Sequence, residues 1–386
     1  MKTEKIRGFN DFVGEDALKR AKVRKIIEEQ FEVYGFEPAE TPIIEAEDFV
    51  KSENEGDEAV SDVFKLQDKG KRKLALRYEF TFQLKRIAKQ KKLPYKRYQT
   101  GPVFRDEPVS STRFRQFTQC DVDVVGSSVK DEVEVLATIK SISEKLGIDT
   151  IIYINNRKLM NEILEDEKIE ERYMEDVIRE IDKLDKLPEK KVLENLKKYN
   201  AEKLLRIFKK PEKFFEKYNF YKDIQELRKF CQNYGVKVEF APSLARGLSY
   251  YNGTIFEAKV KGTGESVAGG GAFEINGIQS VGYGAGLERL CALAKVELEG
   301  VKILVLSIGQ DKKAIQIAEK LRKDGTATVV LLDKGVSKAL DYANARKIEK
   351  VVFVGEEEVK KGKLKVKDMK TGNERLVSEK ELAGDL

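Results

Sequence analysis

The chain has 386 residues, 41% hydrophobic and 36% charged, with a formal net charge of +6. That length exceeds one compact core and predicts two or three domains, while the apolar share excludes a disordered chain. No window approaches eighteen uninterrupted apolar residues and the start, MKTEKIRGFNDF, has no apolar h-region, so neither a membrane span nor a signal peptide is expected and the cytoplasm is the expected compartment.

Cys120, Cys231 and Cys291 lie far apart and in odd number, which suits neither a disulfide framework nor a metal-ligand spacing. The chain has no histidine at all, so a site built from Cys and His is not expected to hold a metal. Any general base must be a carboxylate, a lysine or the substrate itself. The mild positive charge permits an anionic partner without demanding one.

Residues 16–34 place Val23, Ile26, Ile27, Phe31 and Tyr34 on one stripe at helical spacing, with Gly35 as the stop. FEPAETPIIE then reads as one extended, proline-bounded strand. Lys85 to Arg97 is a basic run without an acid. Residues 114–126 and 248–260 alternate as strands. Residues 156–234 are charged and helical, with a basic second half: Lys190 to Lys229 holds thirteen Lys or Arg against six Asp or Glu. A helical block between strand-rich segments predicts an insertion domain. From Val301 onward, apolar runs alternate with helical segments, the pattern of an α/β unit with parallel strands.

The stretch 100–126, TGPVFRDEPVSSTRFRQFTQCDVDVVG, carries the chemistry. Strand parity puts Phe117, Gln119, Asp121 and Asp123 on one face and Thr118, Cys120, Val122 and Val124 on the other. Arg105 and Glu107 share the alternation on the preceding segment, and PVSST makes the turn. Such a hairpin presents arginines that fork onto phosphate oxygens, an aromatic face for a base, and carboxylates that accept from amines. The same pattern also suits an exposed hairpin laced with surface ion pairs.

FRDE followed by RFRQF resembles motif 2 of the class II aminoacyl-tRNA synthetases. GYGAGLERL at 282–290 resembles motif 3, and GFEPAETPIIE at 35–45 resembles motif 1, whose proline, here Pro42, implies a homodimer interface. LARGLSYYNGTIFEA at 244–258 is similar to the histidine-specific loop, and LRYEFT at 76–81 to the segment that binds the substrate amino group. The chain is thereby identified as resembling the histidyl-tRNA synthetase family, and the run Gln119–Asp123 resembles its archaeal and eukaryotic branch.

The resemblance implies an α+β fold. A class II antiparallel-sheet catalytic domain would span 1–155 and 235–298, a helical insertion 156–234, and an α/β anticodon-binding domain 299–386. It implies activation of histidine by ATP, with Mg2+ accompanying the nucleotide, and transfer to tRNA(His). Arg105 then resembles the α-phosphate arginine, Glu107 and Phe117 the adenine contacts, Arg113 the γ-phosphate contact and Arg289 the motif 3 arginine. Glu79, Thr81 and Gln119 resemble the groups that hold the histidine ammonium and carboxylate, and Tyr250, Tyr251 and Asp123 the imidazole side. Arg246 resembles the arginine that stands where other class II enzymes place a magnesium ion, making Arg246 and Arg105 the expected catalytic pair.

Two departures fall on the amino-acid side. Ser249 stands where the family usually has aspartate, and GGAFEI at 270–275 replaces GGRYDG, so Phe273 lacks a hydroxyl. The competing reading is a synthetase-like regulatory subunit of histidine biosynthesis, which typically lacks the anticodon-binding domain; a synthetase for another amino acid is the second rival.

Overall fold

Val23, Ile27 and Phe31, spaced four apart, form the buried stripe of a helix, Gly14–Val33, in the computed structural model, which describes residues 3–51, 62–110, 113–185, 187–246, 250–298, 300–379 and 381–383. The segment expected to be one extended strand divides instead into β1 (Glu37–Pro38) and β2 (Ile44–Ala46), which belong to different sheets. Prolines 38 and 42 bring no N–H to a ladder, and the chain changes sheets between them. β2 pairs with β4 (Lys73–Leu76), which also pairs with β3 (Lys65–Gln67).

The main sheet gathers β5 (Tyr95–Phe104), β6 (Gln116–Val125), β7 (Thr150–Asn156), β8 (Val238–Phe240), β9 (Tyr251–Val260), β10 (Ser266–Ile275) and β11 (Ile278–Gly286). Its order is β1-β5-β6-β11-β10-β9-β7-β8. All inner pairs are antiparallel, and the edge pairs β1–β5 and β7–β8 are parallel. The parity read from β6 holds: Cys120, Val122 and Val124 join the core, alongside residues of the helices Gly14–Val33 and Val129–Lys145. GGAFEI, the second departure from the family pattern, lies in the second half of β10. Its hairpin to β11 turns on Asn276 and Gly277, both at positive φ (51° and 77°), which matches the right-handed twist of the strands.

Residues 157–237 contain helices and no strand among the described residues. Asn156 starts the first, accepting hydrogen bonds from the amides of Lys158 and Leu159. Leu159, Ile163, Val177, Leu227 and Cys231 belong to the same continuous core as the sheet.

The chain forms two compact units, 1–296 and 297–386. In the second, β12 (Ile303–Ser307) lies between β13 (Thr328–Leu331) and β14 (Lys350–Val354), all parallel. Beyond the parallel pattern foreseen, β15 (Lys363–Asp368) and β16 (Glu374–Ser378) extend the sheet antiparallel from β14.

Candidate active site

The polar face of β6, with its neighbours, floors a cleft of about 860 Å³. All twelve expected site residues line it: Glu79, Thr81, Arg105, Glu107, Arg113, Phe117, Gln119, Asp123, Arg246, Tyr250, Tyr251 and Arg289. They come from β6, from the loop after β5, from the segment after β4, from the start of β9 and from the helix Leu287–Leu293.

The cleft has two ends of opposite character. At one, the Arg105 guanidinium lies 5.2 Å from the centre of the Phe117 ring, donates to the Tyr78 carbonyl at 3.1 Å and reaches Gln119 Oε1 at 3.4 Å. Arg113 pairs with Glu107 at 3.5 Å; Ser111 and Thr112 of the expected turn lie outside the described residues. Arg289 is tied to the Ser266 carbonyl and sits 3.3 Å from Glu265. Arg246 pairs with Glu257 at 3.4 Å, and Lys259 meets the same carboxylate at 3.2 Å. Asp182, the last residue of the helix Glu171–Asp182, also reaches this cleft, so the helical stretch contributes to it.

At the other end, Glu79, Asp121 and Asp123 are buried, 2–4% exposed. Glu79 Oε1 and Asp121 Oδ1 have no hydrogen-bond donor among the described residues, while Asp123 Oδ2 is ion-paired with Arg97 at 2.6 Å. Burial pushes the Glu79 carboxyl up to about 7 and Asp123 to about 6, and burial also raises Asp121 well above the usual carboxylate range, with Asp123 adding repulsion. Buried acceptors without donors form a receptor for N–H groups. Gln119 donates to Asp121 at 2.7 Å, which orients its oxygen toward Arg105. The Tyr250 and Tyr251 rings lie 4.7 Å apart, tilted by 52°, with the Phe273 ring edge-on 5.5 Å from Tyr250. Ser249, the first departure, lies outside the described residues.

Gly282 and Gly284, readable from sequence as a strand-to-helix turn, are mid-strand spacers. A Cβ on Gly282 would stand 2.1 Å from Asp123 Oδ1, and one on Gly284 2.8 Å from Asp121 Oδ1. Gly269 likewise leaves room for the Arg246 guanidinium.

Sequence reasoning missed Arg97, Glu257, Lys259 and Glu288. Arg97, read as part of a surface-like basic run, is fully buried, 2.6 Å from Asp123. Glu288 accepts from the Thr118 amide at 3.0 Å and pairs with Arg20 at 2.9 Å, fixing the helix that carries Arg289 against β6. Glu257 and Lys259 share strand parity, the signal that identifies them, but a bulge opposite Gly271 and Phe273 breaks their parity relation to Tyr251.

The family model described as "Histidyl-tRNA synthetase" matches residues 8–290, and "Anticodon binding domain" matches 301–386. The chain belongs to the histidyl-tRNA synthetase family. It is 32% identical to "Histidine--tRNA ligase 1" of Bacillus cereus, over 97% of each chain. A crystal structure of histidyl-tRNA synthetase from Nostoc sp. PCC 7120 superposes with a TM-score of 0.85 at 24% identity, covering 100% of this chain and 99% of that one. A Bacillus halodurans structure titled as an ATP phosphoribosyltransferase regulatory subunit/histidyl-tRNA synthetase superposes at 0.76 and 20% identity, covering 92% and 98%. Both likenesses concern the histidyl-tRNA synthetase fold.

Proposed function

We propose that this cleft carries out histidine–tRNA ligation, the reaction of the family, with its arginine end on the triphosphate and its carboxylate end on histidine. The observation that carries this reading is the set of three buried carboxylates, Glu79, Asp121 and Asp123, that line one end of the cleft. An amino acid with an ammonium and an imidazole N–H supplies donors to match them, Glu79 with Thr81 and Gln119 taking the ammonium and carboxylate side and Asp123 with Tyr250 and Tyr251 the ring.

In the first step a histidine carboxylate oxygen attacks the α-phosphorus of ATP and pyrophosphate leaves. Charge grows on the phosphoryl oxygens, and guanidinium groups already fixed there stabilise the transition state more than the ground state. Arg105 and Arg246 take this role, Arg113 and Arg289 hold the departing phosphates, and Phe117 with Glu107 seats the adenine. In the second step a ribose hydroxyl of the tRNA attacks the adenylate carbonyl and AMP leaves. A phosphate oxygen of the adenylate can take the hydroxyl proton, so the sequence needs no imidazole base.

Mg2+ enters this reading only as a companion of the nucleotide. Glu257, Glu265 and Glu288 near the arginines are each paired with a cation. The regulatory-subunit alternative fits less well, because residues 301–386 match an anticodon-binding domain. The archaeal and eukaryotic placement read from Gln119–Asp123 finds no support in the Bacillus cereus relative.

A homodimer around Pro42 belongs to the same proposal, supported by the exposed Ile43 and Ile44; a monomer by light scattering at micromolar concentration would contradict it. The basic half of the helical stretch, Lys190 to Lys229, is proposed to meet tRNA phosphates. ATP–pyrophosphate exchange across the twenty amino acids tests the whole: histidine alone should support it, and exchange with none would end the enzyme reading.

A further inference from the structure

The Arg97 side chain never reaches the cleft, yet it governs a group that does. It sits directly across from Asp123 in the β5–β6 ladder, with 0% of its surface exposed. Its Nη2 lies 2.6 Å from Asp123 Oδ2, an ion pair between two buried side chains. The guanidinium is braced from other sides: it donates to the Phe80 carbonyl at 3.3 Å and to Gln99 Oε1 at 3.5 Å. Gln99 in turn donates to the Thr41 hydroxyl at 2.7 Å. Phe80 stands between Glu79 and Thr81, so one buried arginine fixes both the strand and the segment that form the carboxylate end.

Asp123 is confined from the opposite side as well. Gly282 is its ladder partner in β11, and only the lack of a Cβ there admits the carboxylate. The other charged groups of this end are Glu79, on the segment after β4, and Asp121, two residues along β6. Both are acidic and buried, and neither stabilises a second negative charge. Arg97 is the positive group that acts on Asp123.

We infer that Arg97 is a positioning residue for amino-acid specificity: it holds Asp123 as a fixed, ionised acceptor, so that the pocket selects a side-chain ring bearing an N–H. The inference rests on the ligase reading above. An ionised carboxylate only accepts hydrogen bonds, whereas a protonated carboxyl also donates one. With Arg97 in place, a ring lacking an N–H leaves a buried acceptor unpaired and is rejected. Without it, Asp123 takes a proton and can donate to a bare ring nitrogen, and the distinction fades.

The test compares histidine with 2-thiazolylalanine, whose ring has a nitrogen acceptor and no N–H, in pyrophosphate exchange. The wild type should prefer histidine in kcat/KM by about a hundredfold or more. R97Q keeps a polar side chain near Phe80 and Gln99 but removes the charge. It should lose at least about tenfold of that preference through a higher KM for histidine, with KM for ATP unchanged within about threefold. R97K restores the charge and should recover most of the preference, a rescue that a purely structural role does not produce. R97M repeats the measurement should R97Q fold poorly by circular dichroism. Unchanged preference in the neutral variants overturns the inference, as does R97K behaving like R97Q. A wild type with no histidine-dependent exchange sinks the ligase reading itself, a result distinct from either.

Discussion

The two units handle buried polarity in opposite ways. The first buries arginines, glutamates and aspartates in and beside its main sheet: Arg77, Arg97, Glu79, Asp121 and Asp123 are all less than 9% exposed. In the second, Ser307 is the one buried polar residue among those described, and β12 is apolar from Ile303 to Leu306. Burying charge costs stability unless each charge is paired and hydrogen-bonded. The first unit accepts that cost in several places, one of them the carboxylate end of its cleft, where acceptors remain open to a ligand. The second keeps an ordinary apolar interior on both faces of its parallel core, so any contact it makes with RNA lies on its surface.

If the contrast is right, damage to the second interior is purely a matter of stability. Leu304→Ala empties a fully buried position between the sheet and the helix Val336–Ala345. It should cost about 2–5 kcal/mol of unfolding free energy, seen as a lower thermal midpoint, with exchange kinetics at 25 °C intact. A loss of exchange in the folded variant would break the separation between the units.

Charge removal inside the cleft should do the reverse. Arg246→Ala is expected to lower kcat by about a hundredfold or more, roughly 3 kcal/mol, with little change in KM for ATP. A loss confined to KM would make Arg246 a binding group.

The carboxylate end sharpens the comparison through pH. Glu79 holds its proton more tightly folded, to about 7, than unfolded, near 4.5, because burial disfavours its charge. The folded state therefore binds more protons between these values, and stability from this group falls as pH rises through that window. Glu79→Gln should raise the thermal midpoint at pH 8 by roughly 5 °C and hardly alter it at pH 4.5. An equal gain at both values would assign the effect to packing.

Phe273→Tyr is the smallest test. It returns the hydroxyl usual in the family beside Tyr250, and one hydrogen bond is worth about 0.5–1.5 kcal/mol. KM for histidine should fall about two- to tenfold; no change would show that the hydroxyl has no partner in this pocket.

Much of this site was legible because β6 obeys strict alternation, with Cys120, Val122 and Val124 inward and Gln119, Asp121 and Asp123 on the cleft. The resemblance supplied roles that alternation alone could not. Arg97 escaped because it ends a lysine-rich run, and nothing local distinguishes a buried arginine from a solvated one; its partner is 26 residues away, across a hairpin. The motif 1 segment was misjudged as one strand because proline's effect on a ladder depends on which sheet the next residues join. β10 was not anticipated from sequence; its three successive glycines mark a place where side chains would collide with Arg246, Tyr283 and Thr254. The Asn276-Gly277 pair was the available sign of a hairpin there.

Those glycines also constrain the descent of the pocket. Alanine at 282 has no space while Asp123 keeps its place, and alanine at 284 crowds Asp121. Nor does shortening Asp123 first offer an easy route, since it strands Arg97 as a buried, unmatched cation. Positions 97, 123 and 282 are coupled, and a change of shape at one of them bears on the other two. Diversification should therefore appear at the rim, where Phe273 already departs from the family pattern, while the floor stays fixed.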